Sequence, residues 1–354
     1  MSKKIVWLMV GWLMLAGLGE ALAAEVTALC RYVDHASGRS MIGAVMGNDR
    51  ILPLQTAYSS LHEGSTSPYL ESIPALFMGD GKEGRKIVNR LVEAAEQKNL
   101  PLLRLDSVQL LTPLDPVKLI AGSIFEGHAT RSREAWAREL MPVQWAIAKM
   151  IGGGPFAPPE EHYADVTYYQ GNHLDWFSHQ SDIQLPPHWD SVDFEVEIAM
   201  LVVQEDGAYR VGGYFLFNDI THRKTQGLEI DKIKHGFSAS KHINAAGWKF
   251  VLAEHVDFSK IRIKATVTKA DGEKQSLCEG VTSDAIFSPE ATLASVAKND
   301  GGVHDGEVIT TGTLTGCCGL EILGAAEADL LYPGDVIRFE SDILGVLENR
   351  IGTP

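Results

Sequence analysis

The chain is short of cysteine, of positive charge and of long apolar runs, and each shortage removes a class of protein. Its four cysteines, Cys30, Cys278, Cys317 and Cys318, are too few and too widely spaced for a fold built on disulfides. With no Cys-x-x-Cys pair they also make no zinc site of the usual spacing. Cys317 and Cys318 adjoin in a glycine-rich loop, where two packed thiols are the simplest expectation. Lys and Arg number 31 against 46 Asp and Glu, for a net charge of −15, which argues against nucleic acid or an anionic membrane surface as partner. Small anionic substrates are still allowed, because they answer to the local field of a pocket. There is no internal repeat and no dinucleotide-binding glycine fingerprint. The glycine loop near residue 312 lacks the Gly-Lys-Ser/Thr ending of a phosphate loop.

What is present is ordinary for a soluble globular protein: 45% hydrophobic and 22% charged residues. Lys3 and Lys4 precede an apolar run from Ile5 to Gly19, shorter than the ~20 residues a spanning helix needs, and Ala21-Leu22-Ala23 follows with small residues. Residues 1–23 therefore read as a secretory signal peptide, which makes the body exported and, in a Gram-negative source, periplasmic. Residues 24–110 read as a small N-terminal α+β domain. It has short strands at Thr27–Val33, Ser40–Met46 and Ile51–Leu54, and a helix over Glu83–Gln97 with Ile87, Val88, Leu91, Val92 and Ala95 on one face. Residues 111–354 form the rest: a helical region at Ser132–Met150 broken by Pro142, a Gly/Pro-rich loop to Pro159, then mostly strands. An amphipathic helix beside such a hinge has the composition of a lid, and a long surface connection has it too. The separated strands argue for a β-rich α+β fold.

The chain is organised around residues 192–226. Val192, Phe194, Val196 and Ile198 alternate with Asp193, Glu195 and Glu197, so a strand period of two sends apolar groups to one face and acids to the other. Ala199–Val203 then has no polar face and is expected to be buried on both sides. After a turn at Gln204–Gly207 a second apolar run, Gly213–Phe217, ends in Asn218-Asp219. Two glutamates at i and i+2 lie about 7 Å apart. A third buried carboxylate beside them is costly unless a cation neutralises it, and oxygen ligands at this density suit magnesium, manganese or calcium. Taken alone, Glu-x-Glu on an alternating strand is more often an amphipathic surface strand with its acids in water than a metal site.

The order Glu195-x-Glu197, then Asn218-Asp219-x-x-x-Arg223-x-x-Gln226, resembles the signature of the fumarylacetoacetate hydrolase family. The resemblance covers roughly residues 110–352, with the first domain weakly consistent. It implies a mixed β-roll and a magnesium or manganese ion held by Glu195, Glu197 and Asp219. It also implies a homodimer and a small 2-oxo or 1,3-diketo acid substrate. His128 stands upstream of the metal strand, where the family carries a histidine that activates water with a glutamate helper; the resemblance makes it the general base. In many members the helper follows three residues later. That position is Arg131 here, leaving Glu134 or Glu126 as substitutes. The aspartate that longer members carry seven residues before the histidine is Ala121, so the site resembles the three-acid version.

By the same resemblance Tyr169, before x-Gly171, and Thr313, in Thr311-Gly-Thr313, touch substrate, while Arg223 and Gln226 steady the oxyanion and the enolate leaving group. The family usually has Lys-x-Phe where this chain has His235-Gly-Phe237. Lys234 is one residue out of place, and His235 takes the substrate-binding position. The activity implied is hydrolysis of a carbon–carbon bond in a 1,3-diketo acid. Alternatives at the same site are an oxaloacetate-type decarboxylase or an unsaturated-diacid isomerase or hydratase. An exported 2-oxo acid binding protein without turnover is the reading from another class.

Overall fold

A computed structural model describes residues 26–151, 158–232 and 237–353. The leader expected over residues 1–23 lies outside them, as do His235 and Lys234. No helix among the described residues is long and apolar enough to cross a membrane.

The alternation read from residues 192–203 governs the packing. Val192, Phe194, Val196, Ile198, Met200 and Val202 all enter one hydrophobic core. Ala199, Leu201 and Val203, on the opposite face of the strand, enter a second. The strand Val196–Glu205 is thus covered on both sides, as its unbroken apolar run requires. It pairs antiparallel with Ala208–Ile220 across a tight Asp206-Gly207 turn, so the second strand is longer than the apolar run alone suggests. Both lie centrally in a large mixed sheet. On one flank come Lys249–Leu252, Ala28–Val33, Ser40–Met46 and Arg50–Pro53. On the other come Glu307–Thr310, Lys118–Ser123 and Thr167–Gly171. The leading segment therefore shares a sheet with the rest, Leu29 pairing with Phe250. Its helix, Glu83–Lys98, buries Val88, Leu91, Val92 and Ala95, the face its spacing predicts.

A second, five-stranded sheet is formed by Lys274–Val281, Arg262–Thr268, Val336–Ser341, Gly345–Ile351 and Asp182–Ile183. Its hairpin turns at Asp271-Gly272, with Gly272 at φ +93°. The helices Glu126–Leu140 and Pro142–Met150 line the cavity that Glu195, Glu197 and Asp219 also face, at the start of one central strand and the end of the other. Pro142 starts the second helix at a first-turn position, where its lack of an N–H costs nothing. The helix Pro289–Asn299 is capped by Ser288, whose Oγ accepts from Ala291 N at 3.2 Å. The whole is a β-rich α+β fold, as the sequence predicts.

One expectation is corrected. Cys317 and Cys318 are not a pair of packed thiols: Cys317 is disulfide-bonded to Cys278, 39 residues away, and Cys318 stays a free buried thiol. Side chains of adjacent residues diverge, and only Cys317 faces the strand Lys274–Val281. The bridge ties the second sheet to the loop after Glu307–Thr310. In the chain-entropy account a closure of this length stabilises by about 2–4 kcal/mol. Cys278→Ser should lower unfolding stability by that order in a denaturant titration, and dithiothreitol should destabilise the wild type but not the variant.

Candidate metal centre and active site

The register Val196↔Asn218 sets Asp219 across from Glu195, whose carbonyl accepts Asp219 N–H at 3.3 Å. Asp219 therefore shares a pleat face with Glu195 and Glu197. Asn218 completes the turn-in: its Oδ1 accepts the Glu195 N–H at 3.0 Å. Ligand oxygens of Glu195, Glu197 and Asp219 lie within 4.8 Å of one another, and all three residues are buried.

Asp193, the remaining acid of the alternation, does another job. Its carboxylate accepts from Arg223 Nε at 2.7 Å, from Gly319 N at 2.6 Å and from Leu320 N at 3.0 Å. Arg223 Nη2 in turn reaches Glu195 Oε1 at 2.7 Å, and Nη1 donates to Gln226 Oε1 at 2.7 Å. With every guanidinium nitrogen engaged, Arg223 orients Glu195 and Asp193, and Asp193 pins the 319–320 turn.

A second cation reaches the acids, one that sequence reasoning missed. Lys241 Nζ donates to Glu195 Oε2, to Asp219 Oδ2 at 2.9 Å and to Thr221 Oγ1 at 2.8 Å. It stands four residues after Phe237, beyond the Lys-x-Phe spacing that directed attention to residues 234 and 235. Tyr169 donates its hydroxyl to Asp219 Oδ2.

Burial pushes Glu195 up, but Lys241, Arg223 and His128 outweigh it and hold its carboxyl at about 2. Glu197 is driven well above the usual carboxylate range, by burial first and then by Asp219 and Glu195. Burial also raises Asp219, against the pull of Lys241. The residues fit a divalent ion on two counts. Four buried carboxyls, at 193, 195, 197 and 219, face two buried cations among the described residues, a deficit that one dication fills. Glu197 Oε2 is buried without a hydrogen-bond partner, a costly state for an acceptor. Hard oxygen donors point to magnesium, manganese or calcium.

His128 faces the same cavity from the Glu126–Leu140 helix. Its glutamate is neither Glu134, which pairs with Lys149, nor Glu126, which accepts from the Tyr163 hydroxyl at 2.8 Å. It is Glu321, whose Oε1 lies 2.7 Å from His128 Nδ1. Glu321 Oε2 is fixed by Gly316 N at 2.9 Å. The two residues are 193 apart in sequence, and no local spacing announces such a pair. Thr313 lines the cavity behind Gly312. Gly312 has φ +75°, and a Cβ there would come 2.3 Å from Gly122 O, so no other residue fits.

The cavity, of about 710 Å³, contains His128, Tyr169, Glu195, Glu197, Asp219, Arg223, Gln226, Lys241 and Thr313 on its walls. Of the site residues expected from the sequence, only His235 lies outside the described residues.

A family profile described as fumarylacetoacetate (FAA) hydrolase, C-terminal, matches residues 135–352. Among solved structures, a fumarylacetoacetate hydrolase from psychrophilic Exiguobacterium antarcticum superposes with a TM-score of 0.62 at 17% identity, covering 93% of this chain and 100% of its own. A maleylpyruvate hydrolase from a Sphingobium strain gives 0.59 at 17% identity, with 92% and 100% covered. A 2-keto-3-deoxy-D-arabinonate dehydratase gives 0.54 at 15% identity, with 92% and 99% covered. At these identities the likeness shows the fold. No curated protein matches the chain at a significant level.

Glu197→Gln removes one ligand while keeping shape and hydrogen-bonding capacity. Magnesium or manganese uptake measured by calorimetry should be lost, with the circular dichroism spectrum retained. Unchanged affinity would put the metal elsewhere.

Proposed function

The chain belongs to the fumarylacetoacetate hydrolase family, and from that membership we propose a divalent-metal-dependent hydrolase that cuts a carbon–carbon bond in a 1,3-diketo acid of the acylpyruvate type. The observation that carries this reading is the His128–Glu321 pair beside the three-acid cluster. Hydrolysis needs an activated water, whereas decarboxylation of a 2-oxo acid does not.

Glu195, Glu197 and Asp219 would hold magnesium or manganese, which supplies Lewis-acid binding of a 2-oxo acid head and stabilisation of an enolate. Glu321 accepts a hydrogen bond from His128 Nδ1–H and fixes the ring, which leaves Nε2 to take a proton from water. Once charged, the imidazolium stays paired with the buried carboxylate. Lys241 brings positive charge to the acid cluster from the side of Asp219 and Thr221, where it favours an anionic head group and a developing enolate. Gln226 presents its amide donor, its Oε1 being taken by Arg223. Arg223 keeps Glu195 in place.

Lys241 at the acid cluster and Glu321 on His128 support turnover over an exported binding protein. We also propose export to an oxidising compartment, a reading supported by the Lys3-Lys4 and apolar leader sequence and by the Cys278–Cys317 bridge.

Protein lacking the leader, supplied with magnesium, should hydrolyse acylpyruvates. His128→Ala should lose about 10²-fold or more in kcat, the range for removing a general base, while oxalate affinity holds. Oxaloacetate decarboxylation, if present, should survive that substitution. Full acylpyruvate hydrolysis by His128→Ala would overturn the assignment.

A further inference from the structure

The cavity is chemically two-ended. One end holds the three acids, Lys241 and His128, and it suits a small 2-oxo acid head. The other, reached along the Glu126–Leu140 helix away from His128, is walled by Trp136, Leu140 and Met141, with Arg133 and Gln144 among them. A volume of about 710 Å³ is that of a site for a drug-sized ligand, several times what a three-carbon head needs. The apolar wall is built, not incidental. Trp136 packs closely against Gly227, where a Cβ would lie 3.0 Å from its ring. At the rim, Leu140 and Met141 are 40% and 48% exposed, large apolar groups lining a cavity with their faces to solvent.

We infer that the substrate carries a bulky apolar acyl group, aryl or branched alkyl, beyond its diketo acid head, and that the wall of Trp136, Leu140 and Met141 binds it. This rests on the reading of the acid end as a 2-oxo acid site. Burial of apolar surface rewards such a tail in proportion to its area. The competing ligand is a diacid, whose second carboxylate would seek Arg133, also on the cavity wall. Arg133 is exposed, and a solvated, screened guanidinium adds little affinity. The apolar wall outweighs it.

The test needs no turnover. Calorimetry on the magnesium-loaded full-length mature protein compares three stable 2-oxo acids that share a head: pyruvate, 2-oxo-4-phenylbutanoate and 2-oxoglutarate. The phenyl compound should bind tenfold or more tighter than pyruvate, on the order expected for burying one ring, and tighter than 2-oxoglutarate. Leu140→Glu, at a rim position that tolerates charge, should shrink the phenyl-to-pyruvate ratio. Equal affinities, or a preference for 2-oxoglutarate, overturn the apolar tail and leave the head-group reading standing. Magnesium-dependent binding of none of the three overturns the head-group reading and this inference with it.

Discussion

Four carboxyls buried against one strand pair are the constraint to which the rest of the site answers. In water their mutual repulsion is small; in the interior it is several-fold larger, and desolvation adds to it. The chain meets it with two cations in different manners. Arg223 makes a fixed fork across Asp193, Glu195 and Gln226, a planar geometry that lysine cannot reproduce. Lys241 contributes a point charge between Glu195 and Asp219. Glu197 Oε2 is left without a hydrogen-bond partner, an acceptor that a bound divalent ion would satisfy.

The same acids organise the backbone around them. Asp193 accepts the Gly319 and Leu320 N–H groups, so the turn carrying Glu321 is anchored to the metal strand. The disulfide at Cys317 anchors its other side to the second sheet. The acid cluster and Glu321 are thus held in one frame, with charge-assisted hydrogen bonds on one side of the 317–321 turn and a disulfide on the other.

Local periodicity made the centre of this legible. The alternation at 192–198 and the acid closing the run at 213–217 brought three carboxylates together, because strand geometry converts spacing into facing. The helix at Glu83–Lys98 was legible from its helical spacing in the same way. Lys241 and Glu321 were not. Each reaches the site through tertiary folding, and each follows a segment whose local pattern pointed elsewhere: to Lys234 and His235 in one case, to Glu126 and Glu134 in the other. Disulfide partners are equally invisible to spacing, and the adjacent Cys317-Cys318 drew attention from Cys278.

The pairing of Ala28–Val33 with Lys249–Leu252 has a kinetic meaning. The first strand of the central sheet stays without one neighbour until a partner more than two hundred residues later is available. The histidine and its glutamate are separated almost as far. Closing loops of that length costs entropy before any contact repays it, so this chain is expected to be a slow folder whose catalytic geometry is among the last things to form, with the unpaired edge of its opening strand exposed to aggregation in the interval.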